Sequence, residues 1–431
     1  MMKVKEEYHC LSEYCGFENL PEGLESIYEN HVPDGQKTLI DRAFLAKVFD
    51  KYCLPEEKRH AFMNALESIE KDEKLLGFTR FLVWDMCSAR NRCDVDNYTN
   101  LTPKRGMDRP EFYSLILLLA CVEPAMKKLE QRGVPAEYYE GIPFRPMEAQ
   151  FRKFIEKNDV TVSDFPWDMN FYTCAIFLFD RFLFIPYKFA DDFTMYRHVE
   201  SGKVTALSHA GLCFRRDGQY DGTNQVHDET GRFISVWDET DASVTANRIN
   251  PMGFVEKEPV TLFKKDWRPG LVQGDSLLAL HIPAGPGYVP EKLKSSMRMA
   301  LDFYAKYYPE LPIKGFWSES WLYDTRLSLV LDNEKSNIIQ VQRQFYNYPI
   351  LESDKMLRYE LFGDWKADPE KVELKTSLQK AAAAYMASGT RFNTLSMVVL
   401  KEEADKMGQM PYITEEDIWR FHQTVDSHLK G

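Results

Sequence analysis

Long apolar runs are missing from this 431-residue chain. Its two most apolar stretches are residues 114–121 and 174–189. The first is too short to span a bilayer and charged residues interrupt the second, so both read as buried helices and no membrane partner is expected. The opening residues, Met1 to Tyr14, have no apolar core, so a secretory signal is not expected. Cysteine is sparse, with eight scattered residues and no Cys-x-x-Cys pair. Cys10 with Cys15, beside His9, and Cys87 with Cys93 are spaced too loosely for a zinc site. The expectation is incidental thiols, no metal and a reducing cytoplasm. Basic charge is also short: 54 Lys and Arg stand against 66 Asp and Glu, for a net −12 with no basic cluster. That balance argues against nucleic acid as a partner. Gly-x-Ser-x-Gly and His-Glu-x-x-His are absent. A hydrolase built on Glu239 and Asp241 therefore has no motif behind it. Asp217-Gly-Gln-Tyr-Asp221-Gly222 lacks the further acidic ligands of a calcium loop and reads as a hairpin turn.

What remains is a globular composition, 44% hydrophobic and 28% charged, long enough for two or three domains. The front is rich in helical pattern. Residues 38–72 read as two helices broken at Leu54-Pro55, 73–90 as a third and 109–132 as a fourth. Residues 135–158 and 165–184 add more helix. From Phe193 the pattern shortens to β segments: 193–199 and 203–209 as a hairpin, then 212–216 and 233–237. Residues 217–231 and 238–258 are polar and read as excursions. Further on, a short helix is expected near 326–331 and strands at 337–346, 356–362 and 395–400. A helix at 376–388 is boxed by Thr376 and Gln379, and a last helix starts at Thr414, boxed by Asp417.

Residues 274–324 are the most ordered pattern. Leu277 to Ile282 is an apolar strand, which Pro283 ends. Ala284, Gly285, Pro286 and Gly287 make a turn, and the glycines let a ligand approach the backbone. Pro290 takes the first helical position and Glu291 the first turn. Leu293, Met297, Leu301, Tyr304 and Tyr308 form an apolar stripe, Pro309 stops the helix, and Ile313 to Leu322 is a second strand. Strand, helix and strand imply parallel pairing with a right-handed crossover. The N–H groups of Tyr288 to Leu293 would face an anion in the turn, with Lys292, Lys294 and Arg298 adding charge.

These residues carry a resemblance. Gly274-Asp275, His281-Ile282-Pro283, Pro290-Glu291, Ser320-Trp321-Leu322 with Asp324, Gln342-Arg343 with Phe345, and Thr376-Ser377-Leu378-Gln379 follow one another at the spacing of a known pattern. Over roughly residues 205–400 the chain resembles a bacterial family of N-acyltransferases with a helical N-terminal domain and a GNAT-like C-terminal domain. The Gln/Arg-x-x-Gly-x-Gly/Ala signature of the wider superfamily is not present. The resemblance implies an α+β fold. An all-α N-terminal domain, residues 1–165, precedes a GNAT-like mixed α/β domain, residues 166–431. The latter has a central, largely antiparallel sheet containing one parallel β-α-β pair. It also implies that the two central strands splay and that acetyl-CoA or another acyl-CoA lies between them. Its pyrophosphate would sit on the backbone of Ala284, Gly285, Gly287 and Tyr288, with Lys292 and Ser320 on the cofactor. Ile282 N–H would serve as oxyanion donor.

Acyl transfer needs a base for the amine and an acid for the leaving thiolate. Glu319 is the expected base, read from the strand pattern that puts it on one face with Trp317 and Trp321. Tyr323, just beyond that strand, is similar in position to the family's acid. His281 is placed at the site as substrate ligand or base. Arg343 and Trp317 are placed on the acceptor, a small-molecule or peptide amine. A non-catalytic relative that binds ligand without turnover is the alternative.

Overall fold

The structure, a computed structural model, describes residues 2–32, 35, 37–88 and 97–429. It divides into two compact units, Met1–Leu178 and Phe179–Gly431.

In the N-terminal unit the described elements before the dividing strand are helices: α1 (Met2–Cys15), α2 (Leu24–Tyr28), α3 (Arg42–Lys51), α4 (Glu56–Lys71), α5 (Glu73–Met86), α6 (Tyr113–Gln131), α7 (Phe144–Lys157) and α8 (Phe165–Tyr172). The apolar run 114–121 lies in α6, where every residue from Tyr113 to Val122 is buried. Such a helix is apolar all round because neighbours cover every side. Asp41 starts α3 by accepting the Phe44 N–H at 2.9 Å, and Asp72 starts α5 by accepting from Lys74 and Leu75. The break at Leu54-Pro55 falls between α3 and α4. The third helix, expected over 73–90, ends at Met86. Residues 89 and 90, and Cys93, lie outside the described residues. Helix α1 was not foreseen from the sequence; it buries Tyr8 and Cys15. Among the described residues no helix is long and apolar enough to cross a membrane.

A hairpin follows at the division, β1 (Phe177–Phe179) and β2 (Phe182–Lys188). This corrects the helix expected over 174–189. The run is rich in Phe, Leu and Ile, and apolar runs of this length carry no period that separates strand from helix. Asp180, with a φ of 50°, makes the bend. Next come β3 (Phe193–His198), β4 (Val204–Ser208), β5 (Cys213–Phe214), β6 (Phe233–Ile234), β7 (Trp237–Glu239), β8 (Ser243–Asn250), β9 (Phe254–Phe263) and β10 (Trp267–Leu271). Most of these form an antiparallel sheet in the order β10-β3-β4-β8-β7, with β9 paired to β8. The expected polar excursion at 238–258 is therefore mostly strand. Strand β8 alternates buried with partly exposed residues along much of its length, and a strand solvated on one face reads as polar.

The remaining elements are β11 (Ser276–His281), α9 (Pro290–Tyr307), β12 (Ile313–Ser320), α10 (Asn337–Gln342), β13 (Tyr346–Pro349), α11 (Lys355–Phe362), α12 (Ser377–Ala387), β14 (Leu395–Leu400) and α13 (Glu415–Leu429). Two expected strands are corrected. Residues 337–342 are helical, with strand only from Tyr346, and 355–362 are a helix closed by Gly363 at a φ of 84°. The Thr376–Gln379 capping box is present. Six strands form the central sheet in the order β1-β2-β11-β12-β14-β13. β11 and β12 run parallel, joined by α9, while β2–β11, β12–β14 and β13–β14 are antiparallel. β14 is buried at every residue, as a central strand covered on both faces must be.

Candidate active site

The central parallel pair is incomplete. β11 and β12 are paired from Ser276–Ile313 to Ala279–Trp317, with a register shift after Ser276, and there the pairing stops. Both strands continue. β11 stays paired with β2 as far as His281–Leu183, and β12 with β14 as far as Ser320–Leu395. The two strands thus part towards their carboxyl ends, leaving a wedge between them. Open α/β sheets place ligands at carboxyl ends of this kind. One row of the sheet, Ile185–Ala279–Trp317–Val398–Tyr346, crosses without a break. The next row on the same face is Leu183–His281, then Glu319–Ser396–Tyr348, and it is open between His281 and Glu319. The structure brings these two expected site residues to opposite walls of the wedge.

The glycine-rich turn caps the wedge. Gly285 and Gly287 have φ values of 115° and 92°, where a side chain is strained. Helix α9 has Pro290 in its first turn and no side-chain cap. Of the N–H groups expected to face a ligand, Val289 donates to Gly287 and Leu293 to Val289, and Pro290 has none. Tyr288, Glu291 and Lys292 remain, the last two at the head of the helix. The turn is held by a residue the sequence reading missed. Arg181 Nε donates to Pro286 O at 2.6 Å, and its Nη2 donates to Pro283 O at 2.5 Å and Gly285 O at 2.9 Å. Its backbone N–H reaches Ser296 Oγ on α9 at 3.3 Å. Arg181 fixes the turn and brings a positive charge to it. No local signal marked it, because about a hundred residues separate it from the carbonyls it binds. Lys292 is already paired, its Nζ lying 3.0 Å from the Asp180 carboxylate.

The two faces of β12 differ. On the face shared with Phe184 and Phe316, covered by α9, Tyr323 is fully buried and its hydroxyl donates to Ser318 Oγ at 2.9 Å. Burial pushes this phenol well above its usual range. Tyr288, from the turn, is buried nearby, and its hydroxyl finds no hydrogen-bond partner. A buried phenol without a partner is a costly feature unless a ligand meets it. Glu319 and Trp317 point to the opposite face. Glu319 is half-buried. Trp317 stacks on Tyr187 with ring centroids 4.3 Å apart, and its Nε1 donates to Asp191 Oδ2 at 3.1 Å. Trp321 does not join them. β12 ends at Ser320, and Trp321 turns into a separate core with Leu327, Ile339 and Phe392. The Trp317–Glu319–Trp321 grouping is corrected accordingly.

The other expected residues have plainer placements. Ser320 Oγ accepts the Leu322 N–H at 3.2 Å, a cap on the turn after β12. Asp324 caps the following short helix and accepts the Asn393 N–H at 2.6 Å. Ile282, Ala284 and Gly285 lie at the mouth of the wedge. Arg343 closes α10, and its Nε is buried without a hydrogen-bond partner. Glu239 is exposed and paired with Lys264 at 2.7 Å, which leaves it no catalytic surroundings. Asp217 holds Arg215 and Arg326 at 3.0 and 3.2 Å rather than an ion. Those three residues line a cavity of about 280 Å³ that contains none of the turn residues. Its buried charges satisfy one another, so it reads as a structural network. Among the described residues no group of three or more metal-ligating side chains comes together.

Comparison with known proteins bears on the fold. A search of the curated proteins finds no match. Among solved structures, the chain is similar to an acyltransferase in complex with decanoyl-CoA and teicoplanin. That match has 14% identity and a TM-score of 0.51, and covers 91% of this chain and 98% of the other. An acyltransferase mutant in complex with octanoyl-CoA matches at 14% identity and a TM-score of 0.50, over 91% and 99% of the two chains. An acyltransferase in complex with CoA and 10C-teicoplanin matches at the same identity and score, over 91% and 98%. At this identity the likeness is one of fold. Residues 43–168 match the N-acyltransferase N-terminal domain, and residues 223–398 match the GNAT-like C-terminal domain. With both domains present in that order, the chain belongs to the N-acyltransferases that carry an N-terminal domain followed by a GNAT-like C-terminal domain.

Proposed function

We propose that this chain transfers an acyl group from an acyl-CoA to an amine by direct attack in a ternary complex. The observation that carries the reading is the wedge, where β11–β12 pairing ends at Ala279–Trp317 beside the Arg181-clamped turn. The pyrophosphate of the acyl-CoA lies against the turn and the head of α9, where N–H groups and a cation converge. Its pantetheine arm enters the wedge from the α9 face, past Tyr288. The thioester then reaches the opening between His281 and Glu319. Glu319 accepts the proton of the amine, and the amine nitrogen attacks the thioester carbon. The C–S bond breaks, and the leaving thiolate takes its proton from Tyr323, whose raised pKa keeps that proton available at neutral pH. Ile282 N–H meets the oxyanion, while His281 and Trp317 border the acceptor.

Acetyl is the simplest acyl group. The solved relatives hold decanoyl-CoA and octanoyl-CoA, which supports a medium chain here. Their teicoplanin complexes support an acceptor of small-molecule or peptide-like size. The reaction is assigned to the cytoplasm on the scattered free thiols. The test is thiol release from acetyl-, octanoyl- and decanoyl-CoA across a panel of primary amines. Amine-dependent release from at least one donor is expected. Saturable binding of the donors with no release by any amine would favour a non-catalytic binding protein instead.

A further inference from the structure

On the Glu319 face of the sheet, Asp191 projects from the β2–β3 connection. Its Oδ2 accepts the Tyr348 hydroxyl at 2.7 Å and the Trp317 indole N–H at 3.1 Å. Both donors are neutral, and Asp191 forms no ion pair among the described residues. Tyr348 lies in the row Glu319–Ser396–Tyr348, and Trp317 is two residues before Glu319 on the same strand. The carboxylate is thereby tied to both sides of the acceptor wall. Its surroundings are aromatic. Tyr187 stacks on Trp317 at an interplanar angle of 18°, and Tyr348 meets Phe193 edge-on with centroids 4.7 Å apart. The polar groups nearby include Asp192, Tyr220, Gln273, whose amide donates to the Asp191 carbonyl, and, through Asp192, His209. None of them is a fixed cation.

A half-buried carboxylate without a cation is unfavourable on its own, since desolvation is offset only by two neutral hydrogen bonds. Burial does raise its pKa, with the Tyr348 and Trp317 bonds working in the opposite direction. A cation would reverse that cost, and aromatic faces beside the carboxylate add attraction for one. The charge is thus unmet in the free protein and open to being met by a ligand.

We infer that Asp191 is the residue that binds the acceptor, receiving its protonated amine against the Tyr187–Trp317 stack and Tyr348 and holding it beside Glu319. The assignment rests on the acyl-amine reading given above. It narrows the acceptor to an amine that is cationic when it docks, attached to an apolar or aromatic neighbourhood. The ammonium releases its first proton to water before attack, and Glu319 takes the second N–H proton as the amide forms. Asp191 itself does no bond-breaking.

Benzylamine and its neutral isostere benzyl alcohol test this, titrated calorimetrically into the full chain with and without CoA. The parent protein should prefer benzylamine. Asp191→Asn, whose amide oxygen can still accept from Tyr348 and Trp317, should weaken benzylamine by about tenfold, the loss of one charged hydrogen bond. Benzyl alcohol and decanoyl-CoA should bind Asp191→Asn as before. Trp317→Phe keeps the charge and an aromatic face, and should keep the preference for the amine. Equal binding of benzylamine and benzyl alcohol to the parent would overturn the inference without any variant, as would undiminished benzylamine binding to Asp191→Asn. Failure of decanoyl-CoA to bind the parent is a different result, and it would remove the acyl-CoA reading instead.

Discussion

The two faces of β12 carry opposite chemistry within successive residues. Ser318 faces α9 and holds the Tyr323 hydroxyl, in a region built of Phe184, Phe316 and buried phenols. Trp317 and Glu319 face the other way, towards Asp191, Tyr187 and Tyr348. One side offers neutral hydroxyl donors. The other offers carboxylates among aromatic rings. The difference teaches how a single strand can separate two substrates. Strand alternation sends neighbouring residues to opposite sides, so donor and acceptor can approach from different faces. In the proposed reaction they meet where the sheet is open, between His281 and Glu319.

The largest way to break that comparison is to neutralise the acceptor wall. Glu319→Gln should lower kcat by about a hundredfold, within the usual range for a general base, while leaving decanoyl-CoA affinity unchanged. A fall in CoA affinity with kcat preserved would place Glu319 on the donor side and end the assignment of faces. A smaller effect is expected from the donor side. Arg181→Ala releases three turn carbonyls and removes the cation, and should weaken decanoyl-CoA by about tenfold at unchanged benzylamine affinity. An effect on the amine alone would contradict it.

The smallest effect concerns stability. Burial raises the pKa of Asp191, so its ionised form is disfavoured in the folded state. For a raised carboxylate, the associated stability is fully present below the unfolded pKa of about 4 and is lost as pH rises through the folded value. Asp191→Asn cannot ionise. Its melting temperature at pH 7 should therefore exceed that of the parent by a few degrees, on the order of 1 kcal/mol, and the gap should close as the pH falls below about 4. A lower melting temperature for the variant at pH 7 would mean that the charge is already compensated in the free protein. Such a trade of stability for a ligand site is common at functional positions.

Much of the fold around the candidate site was legible in the sequence, and the pattern of what was not is physical. Strand, turn and helix over residues 276–307 match the reading because their signals are local: Pro283, Gly285, Gly287, Pro290 and Pro309 each act on their own neighbourhood, while the second strand stops at Ser320, short of the expected Leu322. His281 and Glu319 could be named, though only the register shows that they face each other across a gap. Tyr323 could be named too, but strand alternation put its partner Ser318 on the face opposite Glu319. Arg181 and Asp191 were invisible because their partners lie far away in sequence, at Pro283–Pro286 and at Trp317 and Tyr348. Part of the second sheet was missed for another reason, although its β3–β4 hairpin was expected. Its polar outer face at 243–250 looks like loop when no partner strand is known.

The central claim is that the wedge at the end of the β11–β12 ladder receives the acyl-CoA. Backbone hydrogen exchange with and without decanoyl-CoA tests it most directly. Saturating decanoyl-CoA should slow exchange in residues 280–293 and 318–320, leaving the cavity around Arg215 and Arg326 unchanged. No saturable binding at millimolar decanoyl-CoA, or protection confined to that cavity, would contradict it.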